Sequence, residues 1–130
     1  MKKKIYIAGC GGMLGEAFHK QFMDDYTLKC TDKDVNEHWL SFLDFRDFDA
    51  YRRDVRDFKP DYLFHLGAYT DLEFCELNAD ETYNTNTLAV ENAVYIANEL
   101  NIPVLYISTA GIFDGAKEFY DDWDQPNPLG

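Results

Sequence analysis

Between Lys4 and Phe18 the chain reads KIYIAGCGGMLGEAF, a short β-prone run that breaks into four glycines within seven residues and resumes as a helical pattern. The run over residues 4 to 8, bounded by glycine, reads as a buried strand. Beyond the glycines, Leu14, Ala17, Phe18 and Phe22 fall on one apolar helix face. A strand that enters a helix through glycines is a β-to-α turn. At the carboxyl edge of a parallel sheet such a turn offers unpaired N–H groups and a partial positive charge to an anion.

Which glycines matter depends on their spacing. The tighter G-x-G-x-x-G pattern counted from Gly9 requires glycine at 11 and 14, but residue 14 is leucine. The wider G-x-x-G-x-x-G pattern is met by Gly9, Gly12 and Gly15, with Gly11 accessory and Met13 and Leu14 inside the turn. Glycine suits these positions because a Cβ would hold a pyrophosphate away from the backbone.

Strand and helix patterns then alternate. YTLKC at 26 to 30 is a second strand stopping at TDKD, and WLSFL at 39 to 43 a weak third. Phe48, Tyr51, Val55 and Phe58 step by three or four residues through a charged segment, which predicts an amphipathic helix ended by Pro60. DYLFHLGA supplies a strand and residues 78 to 100 one long helix, with Val90, Ala93, Val94, Ala97 and Leu100 as its buried stripe. Asn78 and Glu81 resemble a capping box at its start. PVLYIS at 103 to 108 is a final strand. The connections are too long for hairpins, so the order predicts an α/β fold: a doubly wound parallel sheet covered on both faces, strand order 3-2-1-4-5.

Asp32 lies 23 residues past Gly9, at the end of the second strand. That position suits a carboxylate accepting hydrogen bonds from an adenosine ribose. It disfavours a 2′-phosphate, since like charges about 4 Å apart repel by ~4 kcal/mol at an effective dielectric of 20. The expected cofactor is therefore NAD or NADP, with a lean to NAD that Lys33 would offset.

Composition removes other classes. A chain of 130 residues with 46% hydrophobic and 16% aromatic content forms one packed domain rather than a disordered segment. A net charge of −12 leaves no basic face for a phosphate backbone, so no nucleic acid is expected as partner. Cys10, Cys30 and Cys75 contain no C-x-x-C pair, so neither a disulfide framework nor a metal site is expected. No apolar run approaches the ~20 residues a membrane helix needs, and MKKKIYIAG has too short an apolar segment for a signal peptide. A cytoplasmic setting with no membrane partner is the expectation.

Taken together, the glycine triple, LDFRD at 43 to 47, FHLGAYTDLEFCE at 64 to 76, NTLAVENAVYIANE at 86 to 99 and YISTAGIFDG at 106 to 115 resemble extended short-chain dehydrogenases/reductases. Within that superfamily the chain is most similar to the dTDP-4-dehydrorhamnose reductase group, from residue 4 through NPLG at 127 to 130. The resemblance implies a Rossmann fold that binds NAD(P) and acts on a nucleotide-activated 4-keto sugar. It implies that Asp44 and Phe45 lie by the adenine, and that Leu66, Gly67, Ala68 and the adjoining Tyr69 run past the cofactor's phosphates and ribose. Asn86 matches an asparagine close to the family's active site. Thr109 matches the Ser/Thr that hydrogen-bonds the substrate carbonyl, although a threonine leaving a strand also caps local backbone. His65 reads as a packed strand histidine.

Two departures follow, the first bearing on the exact substrate and the second on activity. After Thr109 the group usually carries an acid and an aromatic, whereas this chain has Ala110 and Gly111. The superfamily's chemistry also uses a tyrosine followed four residues later by a lysine that lowers its pKa. None of the nine tyrosines here has lysine at that position. The expectation is the front part of a longer reductase, ending before the Tyr-x-x-x-Lys segment and inactive alone. Alternatives are an epimerase or dehydratase of the same superfamily, or a non-catalytic dinucleotide-binding regulatory subunit. An exposed sheet edge leaves a homodimer open.

Overall fold

The apolar run at the start forms β1 (Lys4–Ala8), and the computed structural model, which describes residues 1–130, places it at the centre of a five-stranded sheet. β2 (Thr27–Asp32) and β4 (Tyr62–His65) flank it, with β3 (Leu40–Phe42) outside β2 and β5 (Val104–Tyr106) outside β4. Every pairing is parallel, with Ile7 beside Cys30 on one side and Phe64 on the other, so the order is the expected 3-2-1-4-5.

Successive strand side chains face opposite ways, so β1 contributes to two cores. Tyr6 and Ala8 pack with Leu63, with Tyr51 and Val55 of α2 (Phe48–Phe58), and with Ala93, Ile96 and Ala97 of α5 (Ala89–Leu100). Ile5 and Ile7 pack with Cys10, Cys30 and Leu40 beneath Phe18 and Phe22 of α1 (Met13–Phe22). The two-faced covering holds for β1 but not for β5. Leu105 shares the α1 face with its partner Phe64 and is left 37% exposed.

β2 runs two residues further than its sequence pattern suggested. Thr31 and Asp32 stay in the sheet because Thr31 pairs with Ala8 and its hydroxyl donates to the Ile7 carbonyl, which satisfies a polar side chain in a fully buried position. In α1 the packed face is Gly15, Phe18 and Phe22, whereas Leu14 and Ala17 are exposed. α2 matches expectation, with Asp47 capping the Ala50 N–H and Lys59 ending it in the left-handed region before Pro60.

The long helix is the main correction. A further helix, α3 (Leu72–Leu77), precedes it, and the predicted span divides into α4 (Ala79–Tyr83), a π-helical turn (Asn84–Leu88) and α5. The capping box does not form. Asn78 donates back to the Phe74 carbonyl at the end of α3, while Glu81 accepts from Tyr69 and Arg46. The π turn inserts extra backbone that rotates the α5 face, so Ala89, Ala93, Ile96 and Ala97 are buried and Val94 is exposed.

His65 is the packed strand histidine expected. It is buried, its Nδ1 lies 2.9 Å from the Tyr51 hydroxyl, and burial pushes its pKa down to about 4, so it is neutral at pH 7. The three cysteines are free thiols. No helix is long and apolar enough to cross a membrane.

Candidate functional site

The glycine turn leaves β1 at the sheet's carboxyl edge, where the N–H groups of Gly9 and Cys10 both donate to the Thr31 carbonyl. Gly9 adopts φ +78°, and a Cβ there would stand 2.2 Å from Gly67 Cα, so this residue is fixed by backbone conformation and by the close pass of the β4 exit. Gly15 is fixed by packing, since a Cβ would lie 2.2 Å from the Cys10 carbonyl oxygen. Gly11 donates its N–H to Asp32 Oδ2 at 2.9 Å, and a Cβ on it would press on that carboxylate.

Gly12 differs from the other three. It is the N-cap of α1 in an extended conformation, has no side-chain cap, and a Cβ there would meet nothing within 4 Å. Nothing within the chain requires glycine at this position. The first N–H groups of α1, at Met13 and Leu14, have no intrahelical acceptor, and both residues are exposed. Gly12 therefore leaves open space in front of a helix N-terminus, as an anion approaching the backbone would need.

Beside this turn a half-open cleft of about 90 Å³ is lined by Asp32, Lys33, Leu43, Asp44, Phe45, Arg46, Ala68, Tyr69 and Thr85. Six candidates named from sequence thus converge there: Asp32 and Lys33 from the end of β2, Asp44 and Phe45 from beyond β3, and Ala68 and Tyr69 from beyond β4. Asp32 is held by two main-chain donors, Gly11 N–H on Oδ2 and Asp34 N–H on Oδ1. Asp44 accepts the Arg46 guanidinium on both oxygens, at 2.9 and 2.7 Å, and this pairing holds its carboxyl below the usual range. Leu66 packs into the core on the α1 side, and Gly67 lies under Phe45, whose ring carbon would sit 2.2 Å from an added Cβ.

A chain of polar contacts crosses the cleft. Lys33 Nζ donates to the Tyr69 hydroxyl, which donates to Glu81 Oε1, and Arg46 reaches the same oxygen at 3.1 Å. The bond from Tyr69 is the main reason the Glu81 carboxyl sits below its usual pKa. Lys33 is held above its own by the same hydroxyl.

Asn86 lies in the π-helical turn, and its amide pairs through both its oxygen and its nitrogen with the Tyr69 backbone. Oδ1 accepts the Tyr69 N–H at 2.8 Å and Nδ2 donates to the Tyr69 carbonyl at 3.0 Å. Thr109 lies outside the cleft, exposed beyond β5. Its Oγ1 accepts from Gly111 N–H at 3.1 Å, starting the 3-10 turn Ala110–Ile112, while the hydroxyl hydrogen remains available to an acceptor.

The chain matches the family described as "RmlD substrate binding domain" over residues 2–130. The chain belongs to that family. Among relatives of this RmlD-family chain, a dTDP-4-dehydrorhamnose reductase of Aggregatibacter actinomycetemcomitans is 29% identical over 97% of the chain and 42% of the relative. Methionine adenosyltransferase 2 subunit beta of Danio rerio is also 29% identical, over 98% of the chain and 39% of the relative. The crystal structure of a dTDP-4-dehydrorhamnose reductase from Bacillus anthracis in complex with NADP superposes with a TM-score of 0.89 at 26% identity, covering 99% of the chain and 44% of that protein. The hypothetical dTDP-4-dehydrorhamnose reductase from Sulfolobus tokodaii gives a TM-score of 0.92 at 26% identity, covering 99% and 46%. The chain thus spans about two fifths of the curated relatives it matches.

Sequence reasoning missed Arg46, Glu81 and Thr85. Arg46 was findable, because an arginine two residues after Asp44 can fold back on that carboxylate, as it does here. Glu81 stands out in the sequence only as a capping-box residue, and Thr85 carried no signal, since the π turn that holds it leaves no mark in the hydrophobic period.

Proposed function

We propose that residues 1–130 form the dinucleotide-binding part of an NAD(P)-dependent oxidoreductase-type protein acting on a nucleotide-activated sugar, by 4-keto reduction of the dTDP-4-dehydrorhamnose reductase kind. The observation that carries this reading is Gly12. Its open space before the α1 N-terminus fits a pyrophosphate, and no contact within the chain accounts for glycine there. Gly9, Gly11 and Gly15 shape the turn, and Met13 and Leu14 contribute N–H groups. Asp32, held by two main-chain donors, retains acceptor capacity for ribose hydroxyls. Asp44, Phe45, Ala68 and Tyr69 wall the adjoining cleft, and Leu66 and Gly67 bring the chain past the turn.

Both dinucleotides fit this reading. Asp32 opposes a 2′-phosphate, but Lys33 and Arg46 line the same cleft, and Lys33 has no carboxylate partner. A bound nicotinamide would supply hydride to a carbonyl carbon. Thr109 would donate its hydroxyl hydrogen to the carbonyl oxygen, and Asn86 serves as a positioning residue that fixes the backbone at Tyr69. The proton-transferring Tyr/Lys pair does not occur within these residues.

A second reading, a dinucleotide-binding regulatory subunit without chemistry, is suggested by the match to a protein named as a subunit, methionine adenosyltransferase 2 subunit beta. Calorimetric titration of the folded chain with NADH and NADPH tests what the readings share, and no heat with either would overturn both. Turnover of a 4-keto sugar nucleotide by this chain alone would overturn the assignment of proton transfer to groups outside it.

A further inference from the structure

Two of the three thiols lie together in the core beneath the glycine turn. Cys10 follows Gly9 in that turn and Cys30 lies in β2 beside Ile7, and both belong to the apolar cluster under Phe18 and Phe22 of α1. The backbone brings Cys10 there, because the N–H groups of Gly9 and Cys10 share the carbonyl of Thr31, the residue after Cys30. Both side chains are buried, Cys10 at 0% and Cys30 at 3% exposure. The two thiols are within hydrogen-bonding reach of each other, and that contact is the largest cause of opposite displacements of their ionisation, Cys30 downward and Cys10 upward. Cys75 stands apart on α3, more accessible, with its Sγ donating to the Tyr69 carbonyl at 3.8 Å.

A lone buried cysteine packs as a small apolar side chain, but a buried pair has chemistry of its own. The Cys10 S–H donates to the carbonyl of Gly15, in the first turn of α1, at 3.3 Å. It has one hydrogen to give. Rotation about the Cβ–Sγ bond moves that hydrogen from the Gly15 carbonyl to the Cys30 sulfur, so that Cys30 is the thiol favoured to ionise and Cys10 the one that keeps its proton. The thiolate is the nucleophile.

We infer that Cys10 and Cys30 form a redox switch beneath the glycine turn, in which hydrogen peroxide converts the two thiols into one intramolecular disulfide that ties the turn to β2. The Cys30 thiolate attacks one peroxide oxygen, the S–O bond forms as the O–O bond breaks, and the leaving hydroxide takes up the proton that Cys30 released. The Cys10 sulfur then attacks the Cys30 sulfur. The S–S bond forms, the S–O bond breaks, and the second hydroxide leaves as water with the Cys10 proton. The thiols together lose two electrons and two protons, and one peroxide becomes two waters. A disulfide needs its sulfurs about 2 Å apart, closer than hydrogen-bonded thiols. The movement falls on Cys10, flanked by Gly9, Gly11 and Gly12, because Cys30 is held in the ladder of β2. It gives up the S–H contact with Gly15. Peroxide reaches the pair when the first turn of α1 opens, so that opening sets the rate. No ligand takes part, and the inference stands apart from the dinucleotide reading.

The test uses the full chain carrying Cys75→Ser, which removes the accessible competitor, treated with hydrogen peroxide, alkylated and cut with trypsin. Cleavage after lysine releases Cys10 within residues 5–20 and Cys30 within residues 30–33, so the disulfide is read as one linked peptide pair that dithiothreitol separates. The pair is expected to form in Cys75→Ser and to be absent when Cys10→Ser or Cys30→Ser is added. Cys30→Ser keeps the Cys10 contact with Gly15, so the control stands even where Cys10→Ser fails to fold. Hydrogen exchange of amides 11–16 is expected to slow about 10-fold or more in the oxidised chain, since a disulfide restricts opening of the segment it ties down by at least that factor. Recovery of Cys10 and Cys30 on separate peptides, as alkylated thiols or as sulfinic acids, from a treated chain that remains folded overturns the inference. A cross-link that leaves exchange at 11–16 unchanged overturns the switch as well.

Discussion

Alanine at Gly12 and alanine at Gly15 are the same chemical change three residues apart, and the structure predicts opposite consequences. At Gly15 the new Cβ would lie 2.2 Å from the Cys10 carbonyl oxygen and 2.4 Å from its carbon. Both are backbone atoms of the turn itself, so α1 must lift by roughly an ångström to restore ordinary contact. Overpacking of that kind costs about 1–3 kcal/mol. The helix-propensity gain of alanine over glycine, ~1 kcal/mol, offsets only part of it where Phe18 and Phe22 of the same helix must stay seated on the sheet. At Gly12 the Cβ meets nothing within 4 Å, and φ −92° is open to any residue. Alanine is the poorer N-cap there, but it restricts the unfolded chain by about 0.4–1 kcal/mol, and the two nearly cancel. Urea unfolding should therefore leave Gly12→Ala within about 0.5 kcal/mol of wild type and place Gly15→Ala up to about 2 kcal/mol below it. Calorimetry with NADH should show the reverse ranking of interest: Gly12→Ala folds normally yet binds roughly 10-fold more weakly or worse, having lost a charge-assisted approach to the backbone. Equal destabilisation by both substitutions, or full affinity in Gly12→Ala, would refute the argument that a ligand accounts for this glycine.

Three further outcomes are expected. His65 ionises near 6.5 when unfolded but only near pH 4 when folded, so the unfolded state binds the proton first, and stability falls as pH drops from about 6.5 to about 4. The loss is roughly 3 kcal/mol. Urea midpoints from pH 7.5 to 4.5 should show it in wild type and not in His65→Gln, and parallel pH profiles would refute it. Asn86→Ala removes two hydrogen bonds to the Tyr69 backbone and should cost about 2 kcal/mol, read as a lowered urea midpoint; a change within error would mean that the loop holds itself. Lys33→Ala should weaken NADPH about 5-fold while leaving NADH nearly unchanged, with the difference shrinking in 0.5 M salt. Equal effects on both nucleotides would remove Lys33 from 2′-phosphate recognition.

What the sequence determined by itself is the frame. Apolar runs bounded by glycine or proline became the parallel strands, because a strand buried on both faces tolerates little else, and β1 carries that pattern openly. The glycine spacing was legible too, since it reports backbone geometry one residue at a time. The convergence of Asp32, Asp44, Phe45, Ala68 and Tyr69 followed from strand order, which brings the ends of neighbouring strands to one edge. Tertiary structure decided the rest. It separated the glycines that the chain needs from Gly12, a distinction set by Gly67 and Asp32, far away in sequence, and by the Cys10 carbonyl within the turn. It kept Thr31 and Asp32 in β2 through partners on β1. It also turned one apparent helix into α4, a π turn and α5, so that Glu81 faces Arg46 and Tyr69, Asn86 clamps a loop, Thr85 lines the cleft and Val94 faces outward. Hydrophobic period records only which residues seek burial. Where an extra residue in a helical turn rotates the face, the contacts across the sheet edge decide which of them reach it.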